Sequence, residues 1–276
     1  VSIVQINLLI DTLIASFLTT GSISWLYFSD RLVEFPLGVF GIALATAVLP
    51  NLSEKHARGS SEKFSDILDW SMRCILLIAL PAAIGLAILA APLLITLFNY
   101  KAFSMLDVLM TSYSLKAYAI GLPAFVLIKV LSAGFFSRQD TKTPVTIGLI
   151  AVVANIVLNI LLVWLFNYIN LAHVGLALAT SLSAYLQAFL LFRKLKKIKI
   201  YKPRKKWFGF IAKIILALAV MVGIIVFGVD HVFVWQGWDV FDRVLNLMLW
   251  VLVSMLSYFF VLWMTGLRLR NITTPE

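Results

Sequence analysis

Trp25-Leu26-Tyr27-Phe28-Ser29-Asp30-Arg31-Leu32-Val33-Glu34-Phe35-Pro36-Leu37-Gly38-Val39-Phe40 is apolar enough to enter a bilayer, yet it carries an arginine and a glutamate one helical turn apart. A charge at the centre of a membrane helix costs about 2.5–3.5 kcal/mol or more, so an intramembrane pair is expected to face a water-filled cavity rather than lipid. At a spacing of i, i+3 the Arg31 and Glu34 side chains share one face and can meet. Pro36 lacks an N–H and clashes with the Leu32 carbonyl, and Gly38 and Gly41 add backbone freedom just beyond it. The stretch reads as a kinked, charged membrane helix, the moving part of a transporter, with Pro36, Gly38 and Gly41 as its hinge.

The rest of the chain agrees. Of its 276 residues 62% are hydrophobic and only 13% charged, with a mean hydropathy of +0.98, which excludes an ordinary soluble domain. Runs long enough to cross the hydrocarbon core as helices fall near residues 3–17, 23–49, 70–98, 106–136, 144–166, 174–192, 207–229 and 244–267. The expected fold is therefore an all-α polytopic membrane protein with about eight transmembrane helices. Short segments of alternating polarity, the mark of a membrane β-barrel, do not occur. The chain opens on Val1 already close to an apolar run, with no initiator Met and no signal-peptide pattern, so a preceding N-terminal portion is expected.

A net charge of +10 does not point to nucleic acid, because the basic residues mark one side of a membrane. If the spans alternate, one set of ends holds Lys55, Arg58, Lys63, Arg73, Arg138, Lys142, the run Arg193, Lys194, Lys196, Lys197, Lys199, Lys202, Arg204, Lys205 and Lys206, and finally Arg268 and Arg270. The other set holds Lys101 and Arg243. By the positive-inside rule the first set is cytoplasmic, and the C-terminus with it.

Residues 194–206 form a polybasic cytoplasmic linker expected to attract anionic lipid headgroups at about 1 kcal/mol per basic residue. It divides a six-helix lobe, residues 1–193, from two C-terminal helices and a short tail, residues 207–276. The polar connector 51–69 is expected to contain a short surface helix with Phe64, Ile67 and Leu68 toward lipid, or to be a plain solvated loop. Residues 230–242 read as an external loop with Trp235 and Trp238 at the interface. Cys74, the single cysteine, reads as a packing thiol.

Two constellations could carry function. The first is Arg31 and Glu34 with Asp30 and Lys129, and more remotely Lys116. It suits a cationic cavity in which a guanidinium fork grips phosphate oxygens; a buried structural pair with snorkelling lysines is the plainer alternative. The second is Asp11 with Asn155, Asn159 and Thr180, and Ser181 nearby. Hard oxygen ligands among helices suit Na⁺, or else Asp11 carries H⁺; simple interhelical hydrogen bonding is the alternative. His56, His173 and His231 fall on separate connectors, so no metal beyond a possible Na⁺ is expected. No nucleotide or hydrolase motif occurs, which points to a transporter without an organic cofactor rather than an enzyme.

Ser29-Asp30-Arg31-Leu32-Val33-Glu34-Phe35-Pro36-Leu37-Gly38-Val39-Phe40-Gly41-Ile42-Ala43, then Leu49-Pro50-Asn51-Leu52-Ser53, Tyr100-Lys101-Ala102-Phe103, and Phe136-Ser137-Arg138-Gln139-Asp140-Thr141-Lys142-Thr143-Pro144-Val145 resemble the MurJ (MviN) family in order and spacing. These are lipid II flippases of the bacterial cytoplasmic membrane, within the multidrug/oligosaccharidyl-lipid/polysaccharide exporter superfamily. The resemblance covers the second half of the family's length. It implies a second six-helix lobe followed by two helices that form a groove for the polyprenyl tail. It also implies headgroup contacts at Arg31 and Glu34, a cation site on Asp11, Asn155, Asn159 and Thr180, and a first lobe as partner. Lipid II would be the substrate of alternating access. An exporter of another polyprenyl-linked saccharide or a drug, or a non-transporting scaffold for cell-wall synthesis, is the rival expectation.

Overall fold

The computed structural model describes residues 2–203 and 207–267. Arg204, Lys205, Lys206, Arg268 and Arg270 lie outside the described residues, and with them part of the basic linker and the C-terminal tail. Every regular element among the described residues is helical: α1 (Ser2–Ser16), α2 (Ser22–Pro36), a π-helical segment (Leu37–Ile42), α3 (Ala43–Ala57), α4 (Ser61–Ile88), α5 (Ala90–Phe98), α6 (Met105–Phe136), α7 (Lys142–Asn167), α8 (Ala172–Lys197), α9 (Trp207–Gly228), α10 (Val232–Gly237) and α11 (Val240–Met264). In lipid every backbone group must be satisfied within its own segment, and a helix does this for an apolar run. Seven helices, counting Ser22–Ala57 as one, are long and apolar enough to cross a membrane, and Gln5–Ser16 is a shorter apolar helix. The eight expected apolar runs thus fall on helices, seven of them of membrane-crossing length among the described residues and the first one shorter.

The long helix α6 is the axis of the lobe, packed against α8, α4 and α2. Its start is capped twice: Ser104 accepts from the Asp107 N–H while Asp107 accepts from the Ser104 N–H, which satisfies otherwise orphaned donors. Asp107 also accepts from Trp25 Nε1 at 2.8 Å, and one turn further on Ser29 Oγ donates to the Thr111 carbonyl at 2.9 Å. These bonds pin α2 parallel to α6. On the far side, α7 and α8 approach so closely that a Cβ on Gly175 would lie 2.7 Å from the Leu162 carbonyl oxygen.

The connector 51–69 departs from expectation. There is no separate surface helix: α3 runs on to Ala57, the chain turns at Gly59 in the left-handed region (φ 69°), and α4 starts at Ser61. Phe64, Ile67 and Leu68 are 2%, 6% and 0% exposed, in the core rather than toward lipid. Leu68 packs toward Gly134 of α6. Their i, i+3, i+4 spacing defined a face correctly, but only the neighbouring helix decided what that face meets. Trp235 likewise is not an interfacial side chain; it is buried in α10, where Arg243 folds the loop inward by donating to the carbonyls of Trp238 (2.9 Å) and Gln236 (2.8 Å).

The basic segment after the lobe is partly helix and partly strap. Helix α8 continues to Lys197, and the strap beyond it returns across α4. The pair α9 and α11 packs on α4, with Tyr258 donating to the Leu77 carbonyl at 2.9 Å.

Candidate substrate face and cation cluster

Arg31 and Glu34 form the expected ion pair, and both side chains are about half exposed (48% and 49%). The Arg31 guanidinium also lies over the Tyr27 ring, 5.0 Å from its centroid. Helix α2 buries Ser22, Trp25, Leu26, Ser29 and Val33. At about 100° per residue, Tyr27, Arg31 and Glu34 fall on the opposite stripe, so the pair points away from α6 onto an open face of the lobe.

The two lysines of α6 do not share that face. Residues of α6 that meet α2 are Asp107 and Thr111, with Val126 beside Gly41. Lys116 falls about 140° around the helix from Thr111, on the side of Ile120, whose carbonyl accepts from Tyr185 of α8. Its ammonium sits over Tyr113 at 5.7 Å. Lys129 lies on the stripe of Thr111, but far along it. Partners in α2 and α6 differ by 82 in number, so Arg31 stands beside residue 113 and Lys129 is roughly 24 Å further toward the basic end at 1.5 Å per residue. The exposed cation that the sequence grouped with Arg31 is thus not beside it. Asp30 is half-buried, on the α1 side of α2, within electrostatic reach of Asp11, Arg31 and Glu34.

Between α1, α7 and α8 the second constellation closes into one network. Asn159 Nδ2 donates to Asp11 Oδ1 (2.7 Å) and to Asn155 Oδ1 (3.1 Å), and Thr180 Oγ1 donates to Asp11 Oδ2 (3.1 Å). Asn155 Nδ2 reaches Thr180 Oγ1 at 3.4 Å. Asp11 is 8% exposed and both asparagines 0%. Ser181 takes no part and donates to the Ala117 carbonyl instead. Two amide oxygens are left over: Asn159 Oδ1 and, one turn before Asp11 on α1, Asn7 Oδ1 are buried with no hydrogen-bond partner. Orphaned buried acceptors are costly, and orphans beside one carboxylate fit a small hard cation. Asn7 was missed from sequence, although its i, i+4 relation to Asp11 was visible. Tyr118 of α6, buried and within electrostatic reach of both Asp11 and Asp30, had no sequence signal at all.

At the expected hinge the helix runs on without a break but changes its winding. After Pro36 the helix widens into the π-helical segment, a form common at functional sites. A Cβ on Gly38 would meet nothing within 4 Å, whereas one on Gly41 would stand 3.1 Å from Leu37 Cδ1.

A third charged cluster was not foreseen. Asp69 of α4 holds Arg73 Nε at 2.8 Å and accepts from Tyr201 Oη at 2.6 Å and Trp207 Nε1 at 2.8 Å. Ser65 and the Lys202 backbone exchange two further hydrogen bonds, at 3.3 and 2.9 Å. Burial, then the Asp69 carboxylate, raises the Tyr201 phenol far above its ordinary range, so it stays a donor. The strap is therefore fixed while Arg193, Lys194, Lys196, Lys197, Lys199 and Lys202 remain exposed.

A helical lobe with an ion pair on its open face, a buried oxygen cluster behind it and seven helices long and apolar enough to cross a membrane defines a multi-pass membrane protein. The family model described as "Lipid II flippase MurJ" matches residues 1–249, and the chain belongs to that family. A Vibrio cholerae protein described as "Probable lipid II flippase MurJ" is 47% identical over 272 residues, which is 99% of this chain and 51% of that protein. A Haemophilus influenzae protein with the same description is 46% identical over 282 residues, 100% of this chain and 54% of its own length. A solved structure titled "Lipid II flippase MurJ, inward closed conformation" superposes with a TM-score of 0.76 at 26% identity, covering 94% of this chain and 50% of that one. The chain spans about half the length of the relatives it matches.

Proposed function

We propose that this chain acts as the second half of a lipid II flippase. Together with a first lobe like that of its longer relatives, it moves a polyprenyl-diphosphate-linked disaccharide-pentapeptide across the bacterial cytoplasmic membrane by alternating access. The observation that carries the reading is Arg31, held by Glu34 and Tyr27 on a face that no described helix covers. A guanidinium fork matches diphosphate oxygens, and Glu34 holds it in register. The basic helix ends stand in the cytoplasm, Pro36 with Gly38 and Gly41 lets α2 bend as the lobes rock, and the exposed strap lysines rest on anionic lipid headgroups. The apolar face of α11 that carries Val253, Leu256, Phe260 and Trp263 suits the polyprenyl tail. Asp11, Asn155, Asn159 and Thr180 would bind Na⁺, or Asp11 a proton, to drive the cycle.

Complementation of a flippase-depleted bacterium tests this in the full-length protein. Arg31→Ala is expected to reach the membrane yet fail to restore growth. Full rescue by Arg31→Ala, with loss of function on neutralising the lysines of 194–206 instead, would overturn the reading in favour of a scaffold.

A further inference from the structure

The cation cluster and the Arg31–Glu34 pair lie on different sides of α2, and Asp30 stands between them. It is one step of about 100° from Ser29 on the α6-facing stripe and one from Arg31 on the open stripe. Ser29, 0% exposed and bonded to both Trp25 and Thr111 carbonyls, holds this turn of backbone still. Only the side chain of Asp30 is left to move. Across the α1–α2 contact it is within electrostatic reach of Asp11, and along its own helix within reach of Arg31 and Glu34. Tyr118, buried two turns beyond Thr111 on α6, is within electrostatic reach of both acids.

We infer that Asp30 links the cation cluster to the headgroup-binding pair, turning toward the cluster when a monovalent cation neutralises Asp11 and toward Arg31 when the cluster is empty. With the cluster empty, the Asp11 carboxylate repels Asp30, which then competes with an anionic headgroup for the guanidinium. A cation at Asp11 reverses both effects: Asp30 is drawn to the cluster and Arg31 is released for diphosphate. The cation thus raises diphosphate affinity, and by linkage diphosphate raises cation affinity by the same factor. The proposal rests on the flippase reading above and adds its coupling residue.

The test is binding rather than transport, in the full-length protein in lipid nanodiscs. Farnesyl diphosphate serves as the headgroup probe, and Na⁺ is exchanged for N-methylglucamine at constant pH and ionic strength. In the unmodified protein Na⁺ is expected to tighten farnesyl diphosphate binding about fivefold or more, within the usual range of coupling, and Asp11→Asn to remove the effect. Asp30→Asn no longer competes for Arg31, so it is expected to bind farnesyl diphosphate without Na⁺ about as tightly as the unmodified protein does with it and to lose the dependence, and Asp30→Glu to recover it. If the unmodified protein shows the Na⁺ effect and Asp30→Asn retains the same factor, the cation site stands and the Asp30 link is overturned. If the unmodified protein shows no Na⁺ effect that Asp11→Asn removes, the cation site falls and the link falls with it. Loss of farnesyl diphosphate binding in Arg31→Ala, with or without Na⁺, separately checks the headgroup reading.

Discussion

Arg31–Glu34 on α2 and Asp69–Arg73 on α4 are the same chemistry at nearly the same spacing, i, i+3 and i, i+4, on two membrane helices. Their surroundings are opposite. The first pair is half exposed, with the Tyr27 ring beside it, and a pair so open in water contributes little to stability, about 0–1 kcal/mol. In the second, Asp69 is 2% exposed and is shared with side chains 132 and 138 residues away. The difference separates a pair free to meet a ligand from one already saturated by its own fold.

Single substitutions should pull the two regions apart. The largest expected effect is at the open pair: Arg31→Ala abolishes complementation by the full-length protein, while its melting temperature in detergent moves by no more than about 1 kcal/mol allows. Next comes Asp69→Ala, which strands Arg73 beside Trp207 and frees the strap. A loss of about 3–5 kcal/mol is expected, read by thermal or denaturant unfolding; an unchanged melting curve would make the cluster decorative. Tyr201→Phe removes one charge-assisted hydrogen bond from the same hub and should cost about 1.5–3 kcal/mol, accompanied by faster proteolysis of residues 198–203.

The smallest effect concerns Asp140, which accepts from the backbone and hydroxyl of Thr143 at the start of α7. Those bonds, with the backbone bond first among them, lower its carboxyl below the usual range. A lowered folded-state value means the contribution is present above the unfolded carboxylate range, near pH 4, and disappears as pH falls through the folded value. Since the group is only partly buried and is screened by solvent, Asp140→Asn should cost under about 1 kcal/mol at neutral pH, and the difference from the unmodified protein should vanish on acidification.

How much of this was legible beforehand varies by region. The irregular helix after Pro36 and the facing of Arg31 and Glu34 could be read because both follow from residues within two turns of each other. The network of Asp11, Asn155, Asn159 and Thr180 was read as a set because each is a polar residue standing out in an apolar run. The place of Lys129 was misjudged, since grouping it with Arg31 required the register between α2 and α6, which the Trp25–Asp107 and Ser29–Thr111 bonds set. The Asp69 hub was invisible: its acid looked like part of a polar connector, and its tyrosine and tryptophan like parts of a basic linker.

The sequence by itself determined the membrane class, the helices and the stripe on which each charge stands, because hydrophobic length and a 3.6-residue period are properties of neighbours along the chain. Only the tertiary structure decided which charges are saturated and which are left open, because that depends on what another helix, often more than a hundred residues away, brings within hydrogen-bond reach.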